Sequence, residues 1–392
     1  MNYHIIPQDK FFSSYIEDIY RIHQEENNII WVHGNKGESP FFSTIRRVEY
    51  LGNDPDNYRS HLSILESSDK LFVSWYDTFI GKLVLETNKP FKLYVYLMGA
   101  EFYCHPEWYH MNWLLDCQTK RILKQKRLYP QLSSSSNIPW LYFIYHWIKF
   151  KKRIHVQYLE KLQTIKRINY IILPKHSFAE FEQVKALYPG MTARHAYGCF
   201  DQNVDLACTL PTSRVPSEED SIKVLLGNSA DPHGNQFDAI HLIKSMADIP
   251  LEVFCLLSYG DEQAREWIID YGIEELGSHF HPVQHYMDRE SYLHFLQQMD
   301  IVIMYHNRSQ AMGAIISSLV LGKPVFLKTQ SPVYSLLVSI GVKSIYDVKS
   351  ISSINLREVI SSAQKNCQDT VLRIKKEFSM KTRLAYLSDL LR

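Results

Sequence analysis

Ile222-Lys223-Val224-Leu225-Leu226-Gly227-Asn228-Ser229-Ala230-Asp231-Pro232-His233-Gly234-Asn235 is the stretch that decides the fold. Ile222 to Leu226 is a short, nearly unbroken apolar run, which predicts a strand buried on both faces. It ends at Gly227 and gives way to a polar loop of small residues that opens a helix. The same unit recurs downstream. Leu251 to Leu257 ends at Ser258-Tyr259-Gly260, Asp300 to Tyr305 follows a helical pattern around Tyr292 to Met299, and Pro324 to Leu327 follows a helix over 314–321. A helix near 355–366 and one long amphipathic helix over about 368–391 complete the pattern. Alternating strands and helices, with glycines at strand exits, predict a doubly wound parallel sheet.

The first half reads the same way with weaker punctuation. Ile29 to Val32 runs into His33-Gly34, Lys70 to Trp75 is a second strand, Phe91 to Met98 ends at Gly99, and Tyr170 to Leu173 ends at Pro174. Between them lies a polar, proline-marked stretch holding Pro211, Ser213, Pro216, Ser217, Glu218, Glu219 and Asp220. That texture predicts a linker, and hence two domains, 1–213 and 214–392, the second ending in the final helix. The length of 392 residues points the same way, because single cores stop growing at roughly 250–300 residues.

Composition narrows the function. Hydrophobic residues make up 45% of the chain, and 43 Lys+Arg nearly cancel 42 Asp+Glu, giving a net charge of +1. That balance argues against a general nucleic-acid binder. The 6 cysteines form no CxxC pair and no metal-ligand spacing, so most of them read as small buried hydrophobes in a reducing compartment. The opening Met-Asn-Tyr-His-Ile-Ile-Pro lacks the basic and apolar regions of a signal peptide. The longest membrane-like run, Pro139 to Ile148, is about half of the ~20 residues a spanning helix needs. The expected location is the cytoplasm, with peripheral contact at the inner face of the plasma membrane.

Ligands of open α/β sheets bind beyond the carboxyl ends of the strands, and three polar loops stand there in the second half. Gly227-Asn228-Ser229-Ala230-Asp231 lets a ligand approach the backbone ahead of a helix whose N-terminus favours anions; the competing reading is a polar turn with an Asp or Asn cap. Ser258-Tyr259-Gly260-Asp261 is either a second lining loop or a plain helix start. His306-Asn307-Arg308-Ser309-Gln310-Ala311-Met312-Gly313-Ala314 is the most specific. Gly313 and Ala314 would put backbone amides where a diphosphate sits, and Arg308 would neutralise a leaving diphosphate or else form a surface ion pair. GxGxxG after a first strand and GxxxxGK[ST] are both absent, which disfavours dinucleotide oxidoreductases and P-loop phosphotransferases. In the first half, Glu101 follows Gly99-Ala100 just past a strand. It is either a general base for an acceptor hydroxyl or a helix cap. His33, His105 and His110 are weaker base candidates.

Residues 120–167 invite two readings. Trp140, Tyr142, Phe143, Tyr145, Trp147 and Phe150 lead into Lys149, Lys151, Lys152 and Arg153, downstream of the basic Lys120 to Arg127. Aromatics beside a basic cluster suit an anionic bilayer interface, and equally suit a core helix with a solvated basic face.

These loops carry a resemblance. Val224-Leu225-Leu226-Gly227-Asn228-Ser229-Ala230-Asp231, Tyr292-Leu293 through Gln298-Met299-Asp300, Arg308-Ser309-Gln310-Ala311-Met312-Gly313 and Gly322-Lys323-Pro324-Val325 resemble the bacterial dTDP-N-acetylfucosamine:lipid II N-acetylfucosaminyltransferases, glycosyltransferase family 56. The similarity covers most of 222–335 and is patchy before that. A shorter match is centred on Gly99-Ala100-Glu101-Phe102-Tyr103, where the family has Asp in place of Glu101; a carboxylate is kept and its reach is changed. The resemblance implies an α/β GT-B fold, two Rossmann-like doubly wound parallel-sheet domains facing across a cleft. The acceptor would lie on the N-terminal domain and the nucleotide sugar on the C-terminal one.

It further implies a lipid-linked saccharide acceptor and no metal or other cofactor, consistent with no Asp-x-Asp in a candidate loop. On this reading Glu101 and Arg308 are catalytic, while Gly227, Asn228, Ser229, Asp231, Tyr259, Gly260, Gln310, Gly313 and Ala314 bind the donor. The alternatives are a GT-B enzyme with a UDP- or GDP-sugar donor in capsule or O-antigen assembly, and a noncatalytic sugar-nucleotide-binding protein.

Overall fold

The computed structural model describes residues 1–22, 27–43, 45–96, 114–128, 162–173, 193–195, 207–210, 215–246 and 248–392, with single positions inside 148–160 and 181–185. The chain divides into two compact units: Met1–Met111, Ile138–Phe200 and Met380–Arg392 form one, and Asn112–Asn137 and Asp201–Ser379 the other. Neither unit is continuous in sequence, so no single cut such as 213/214 separates them.

The first unit holds a seven-stranded sheet. In chain order its strands are β1 (Asn2–Pro7), β2 (Asn28–His33), β3 (Glu49–Gly52), β4 (Lys70–Ser74), β5 (Lys92–Tyr96), β6 (Tyr170–Leu173) and β7 (Ala193–His195). In space they run β3-β2-β1-β4-β5-β6-β7, all parallel. His4, Phe72, Tyr94 and Tyr170 are register partners on four adjacent strands. Their rings form a ladder, 4.9, 4.8 and 4.7 Å between successive centroids and tilted by 13°, 25° and 26°. The strand spacing of about 4.8 Å sets that repeat. His4 is fully buried yet satisfied, with Asn28 Oδ1 at 3.2 Å from one ring nitrogen and Tyr15 Oη at 3.3 Å from the other.

The helices between these strands include α1 (Lys10–Ile22), α2 (Pro55–Ser63) and α3 (Thr78–Glu86). Two of them start by the capping rule. Asp54 caps α2, accepting from Asp56 N–H at 3.0 Å, and Asp77 caps α3, accepting from Ile80 N–H at 2.9 Å. Asp54-Pro55-Asp56 is an Asp-x-Asp triplet, but it is the first turn of α2, with Asp56 also paired to Arg59 at 2.6 Å.

The second unit has a six-stranded parallel sheet of β8 (Ile222–Leu226), β9 (Leu251–Leu256), β10 (Phe280–Val283), β11 (Ile301–Met304), β12 (Val325–Leu327) and β13 (Ile345–Asp347), ordered β10-β9-β8-β11-β12-β13. One helix, α4 (Cys117–Leu128), comes from far upstream. The others are α5 (Gln236–Lys244), α6 (Glu262–Leu276), α7 (Arg289–Gln297), α8 (Met312–Val320), α9 (Pro332–Ser339), α10 (Leu356–Lys365) and α11 (Cys367–Phe378). Val224, Leu226, Phe237, Ile240, Ile268, Ile303 and Phe326 fill its core.

α4 belongs here because α5 caps it. The Asp238 carboxylate accepts from Gln118 N–H at 2.9 Å, Thr119 N–H at 2.9 Å and Thr119 Oγ1 at 2.6 Å, and Asn235 Oδ1 accepts from Asp116 N–H at 2.8 Å.

The single long helix expected over about 368–391 is two helices. α11 ends at Ser379, which is extended at φ −64°, ψ 157°, and α12 (Met380–Leu391) follows. Cys367 and Ile374 of α11 are buried, whereas Leu387, Leu390 and Leu391 of α12 join Phe12, Ile16 and Ile19 of α1 in the first unit's core. Two separate apolar surfaces claim the two halves. In α12 a buried Arg383 meets a fully buried Asp18 at 2.8 Å.

Both sheets reverse their winding once, between β1 and β4 in the first unit and between β8 and β11 in the second. The carboxyl ends at such reversals are where open α/β sheets bind ligands.

Candidate functional site

At the second unit's reversal, β8 exits through Gly227, whose φ of +64° is left-handed and whose N–H donates to Ile303 O at 3.0 Å. Asn228 then reaches both neighbouring loops. Its Nδ2 donates to Tyr259 Oη at 3.0 Å, and its Oδ1 accepts from Gln310 Nε2 at 3.1 Å. Gln310 Oε1 accepts from Arg308 Nε at 3.1 Å, and Arg308 Nη2 donates to Asp231 Oδ2 at 2.9 Å. Tyr259, Asn228, Gln310, Arg308 and Asp231 thus form one unbroken chain of side chains. The three loops singled out from the sequence converge.

Asp231 ends that chain. Burial pushes its carboxyl up, but the hydrogen bonds from His233 and the charges of His233 and Arg308 outweigh burial and hold it well below the usual carboxylate range. With a folded pKa below the unfolded one, the ionised carboxylate contributes stability above about pH 4, lost as pH falls through the folded value. Asp231→Asn is therefore expected to lower the melting temperature at pH 7 by about 3 °C or more, with the gap narrowing below pH 4. Thermal melts at both ends of that range check it, and a gap independent of pH would rule the carboxylate charge out.

α8 begins at Ala311, itself left-handed at φ +60° and without a side-chain cap. The first i→i−4 bond runs from Ile315 N–H to Ala311 O at 2.9 Å. The amides of Met312, Gly313 and Ala314 therefore stand at the open, positive end of the helix, an arrangement suited to an anion.

Two of the expected binding residues turn out to shape the loop. Gly260 bridges to Ala230, and a Cβ on it would lie 2.9 Å from both Ala230 C and Asp231 N, at φ +115°. Only glycine lets the loop carrying Tyr259 lie against the loop carrying Asp231. Ser229 is 2% exposed and presents its carbonyl to Gln236 Nε2 at 2.6 Å. Lys323, from the Gly-Lys-Pro motif, is buried and donates to the carbonyls of Gln297 and Met299, fastening the end of α7 to the start of β12. Glu101, His105 and His110 lie outside the described residues. His33 lies at the end of β2, bonded to Tyr58 Oη.

A second cluster went unread. Lys328, immediately past β12, is 2% exposed; its ammonium contacts the Asp116 carboxylate, donates to Asn307 Oδ1 at 2.9 Å and lies 4.3 Å from the centroid of the Tyr305 ring. Asn307 Nδ2 closes the triangle on Asp116 Oδ1 at 3.1 Å. Burial pulls Lys328 down to about 7 and Lys349 adds to that, while the Asp116 carboxylate in contact favours the ammonium. Next to it His306 is 1% exposed, with neither ring nitrogen partnered. Burial pulls it down to about 4 and Arg308's charge acts in the same sense, so the ring is neutral at pH 7. The position of Lys328 at a strand exit was a usable signal. Nothing in the sequence pointed to Asp116.

The fold is similar to that of several solved enzymes of sugar metabolism, glycosyltransferases among them. The sucrose-phosphate synthase of Thermosynechococcus elongatus has a TM-score of 0.62 at 9% identity, with 100% of this chain and 98% of that one covered. A glycosyltransferase from Rickettsia africae has a TM-score of 0.60 at 9% identity, covering 100% and 97%. A lipopolysaccharide outer core galactosyltransferase in apo form scores 0.57 at 9% identity, covering 99% and 98%. None of the curated proteins matches the chain by sequence.

Two doubly wound domains of this kind, with an anion-ready helix end at the second reversal, define a GT-B glycosyltransferase. Residues 181–379, just over half of the chain, match the model of 4-alpha-L-fucosyltransferase glycosyl transferase group 56, and the chain belongs to that family.

Proposed function

We propose that the enzyme moves a deoxy-acetamido sugar, dTDP-linked N-acetylfucosamine, onto a lipid-linked glycan in bacterial surface polysaccharide synthesis. The observation that carries this is the Asp231–Arg308–Gln310–Asn228–Tyr259 chain beside the open end of α8. The amides of Met312, Gly313 and Ala314 take the donor diphosphate, Gly227 and Gly260 let the loops come close, and Asn228 and Tyr259 face the nucleotide or sugar. In the transfer, the bond from the anomeric carbon to the β-phosphate oxygen breaks and one to the acceptor oxygen forms. The acceptor proton goes to Glu101, and Arg308 takes up the charge developing on the departing nucleoside diphosphate. Helix dipole and guanidinium do the phosphate work in this scheme, so it needs no metal.

A lipid-linked acceptor requires the enzyme to rest on a bilayer. Ile148, Val156 and Leu159, described helical positions of this stretch, are exposed apolar side chains, and Lys152 is exposed with them. Apolar side chains turned to solvent favour bilayer contact over a core helix. No helix among the described residues is long and apolar enough to cross a membrane.

The test is transfer of radiolabel from dTDP-, UDP- and GDP-sugars to bacterial membrane lipid extract, alongside a thermal-shift panel of the free diphosphates. Label should enter the lipid fraction from the dTDP-sugar alone, and dTDP should raise the melting temperature most. A larger shift with UDP or GDP, and label from those donors, would assign the enzyme to capsule or O-antigen assembly with another donor.

A further inference from the structure

The first unit has its own winding reversal, and the group at its mouth is Trp75. β1 exits there into Gln8 and β4 into Trp75. Trp75 has a φ of +71°. Left-handed backbone is unfavourable for so bulky a residue, by about 1–3 kcal/mol, and glycine would adopt it freely. Trp75 is also 46% exposed, between Ser74 and Tyr76, each 2% exposed.

Both flanks are pinned. Tyr76 Oη donates to Thr164 O at 3.0 Å, and Asp77 caps α3. Among the described residues, Trp75 has no ring, ionic or hydrogen-bond partner. At the exit of the adjacent strand β1, Gln8 Nε2 donates to His33 O at 3.1 Å and Asn35 O at 2.9 Å, while Gln8 Oε1 has no partner. A strained, outward, unpartnered indole at a ligand-binding edge is what a stacking platform requires. A merely structural turn would be better served by glycine or asparagine.

We infer that Trp75 is the stacking platform for a pyranose ring of the acceptor saccharide, with the polar β1 and β2 exits beside it for the hydroxyls. One face of a pyranose is a sheet of C–H bonds that loses water against an indole, while its rim of hydroxyls seeks polar groups; tryptophan offers the broadest such surface plus an N–H donor. This rests on the reading that the enzyme uses a glycan acceptor, and it assigns where that glycan's ring is gripped.

Saturation-transfer NMR on the full chain tests it, with N-acetylglucosamine and N,N′-diacetylchitobiose as probes, for wild type, Trp75→Phe and Trp75→Gly. Wild type and Trp75→Phe should transfer saturation to the pyranose C–H protons. Trp75→Gly should weaken binding at least tenfold while melting no lower than wild type, because glycine relieves the left-handed backbone. Undiminished saccharide binding by Trp75→Gly, a fall in its melting temperature, or no binding of either probe by wild type would overturn the proposal. Thermal shifts with dTDP, read on the same three proteins, should be equal. Failure of dTDP to bind would count against the donor assignment and leave the ring platform standing.

Discussion

Arg308→Ala should lose transfer by about 10²–10³-fold, or roughly 3–4 kcal/mol of transition-state stabilisation, while the protein stays folded. The guanidinium links Gln310 to Asp231, yet each keeps another partner when it goes: Gln310 still donates to Asn228, and Asp231 still pairs with His233 at 2.9 Å. The loop should hold its shape. Charge builds on the diphosphate as the glycosidic bond breaks, so the loss should fall mainly on kcat. Lysine at 308 should recover part of the rate, because a point charge replaces the ion but cannot bond Gln310 and Asp231 at fixed angles. Steady-state release of nucleoside diphosphate measures this. Activity of Arg308→Ala within threefold of wild type would remove the residue from the mechanism.

Asp18→Ala should cost about 3–5 kcal/mol, because it strips a buried guanidinium of its carboxylate. Arg383 bonds Asp18 through Nε at 2.8 Å and Nη2 at 3.3 Å, with both side chains almost wholly out of water. Replacing both residues by leucine should restore most of the loss, since an apolar pair of similar volume suits the α1–α12 contact. Urea midpoints for Asp18→Leu, Arg383→Leu and the double leucine variant give the coupling directly. A single-variant loss below about 1 kcal/mol would show that water reaches the pair.

Legibility followed the chemistry of each segment. β8 and β11 are apolar runs with punctuated exits, and they stand where the sequence puts them. β1 was passed over because Asn2 and His4 interrupt its apolar run. Those polar side chains are tolerable only because Leu391 O, Asn28 and Tyr15 solvate them, and no local pattern shows that. β13 is three residues long, too short to show a period. The break at Ser379 is invisible for a different reason. Amphipathicity reports that a helix has an apolar face and not which surface receives it.

At the site, the three loops were readable because glycines and polar residues follow apolar strands. The Asp116–Lys328 contact joins residues 212 positions apart and could only come from the fold. Trp75 read as the end of a strand, since nothing short of the backbone angle tells a strand's last residue from a strained one beyond it.

The return of α12 has a temporal corollary. A ribosome delivers residues in order, so the first unit's apolar centre stays open through the making of the entire second unit, up to Ser379. The second unit can settle while its predecessor still waits for Leu387, Leu390 and Leu391. Until that last segment arrives, the nascent enzyme shows an unfilled hydrophobic seam to whatever chaperones attend its birth.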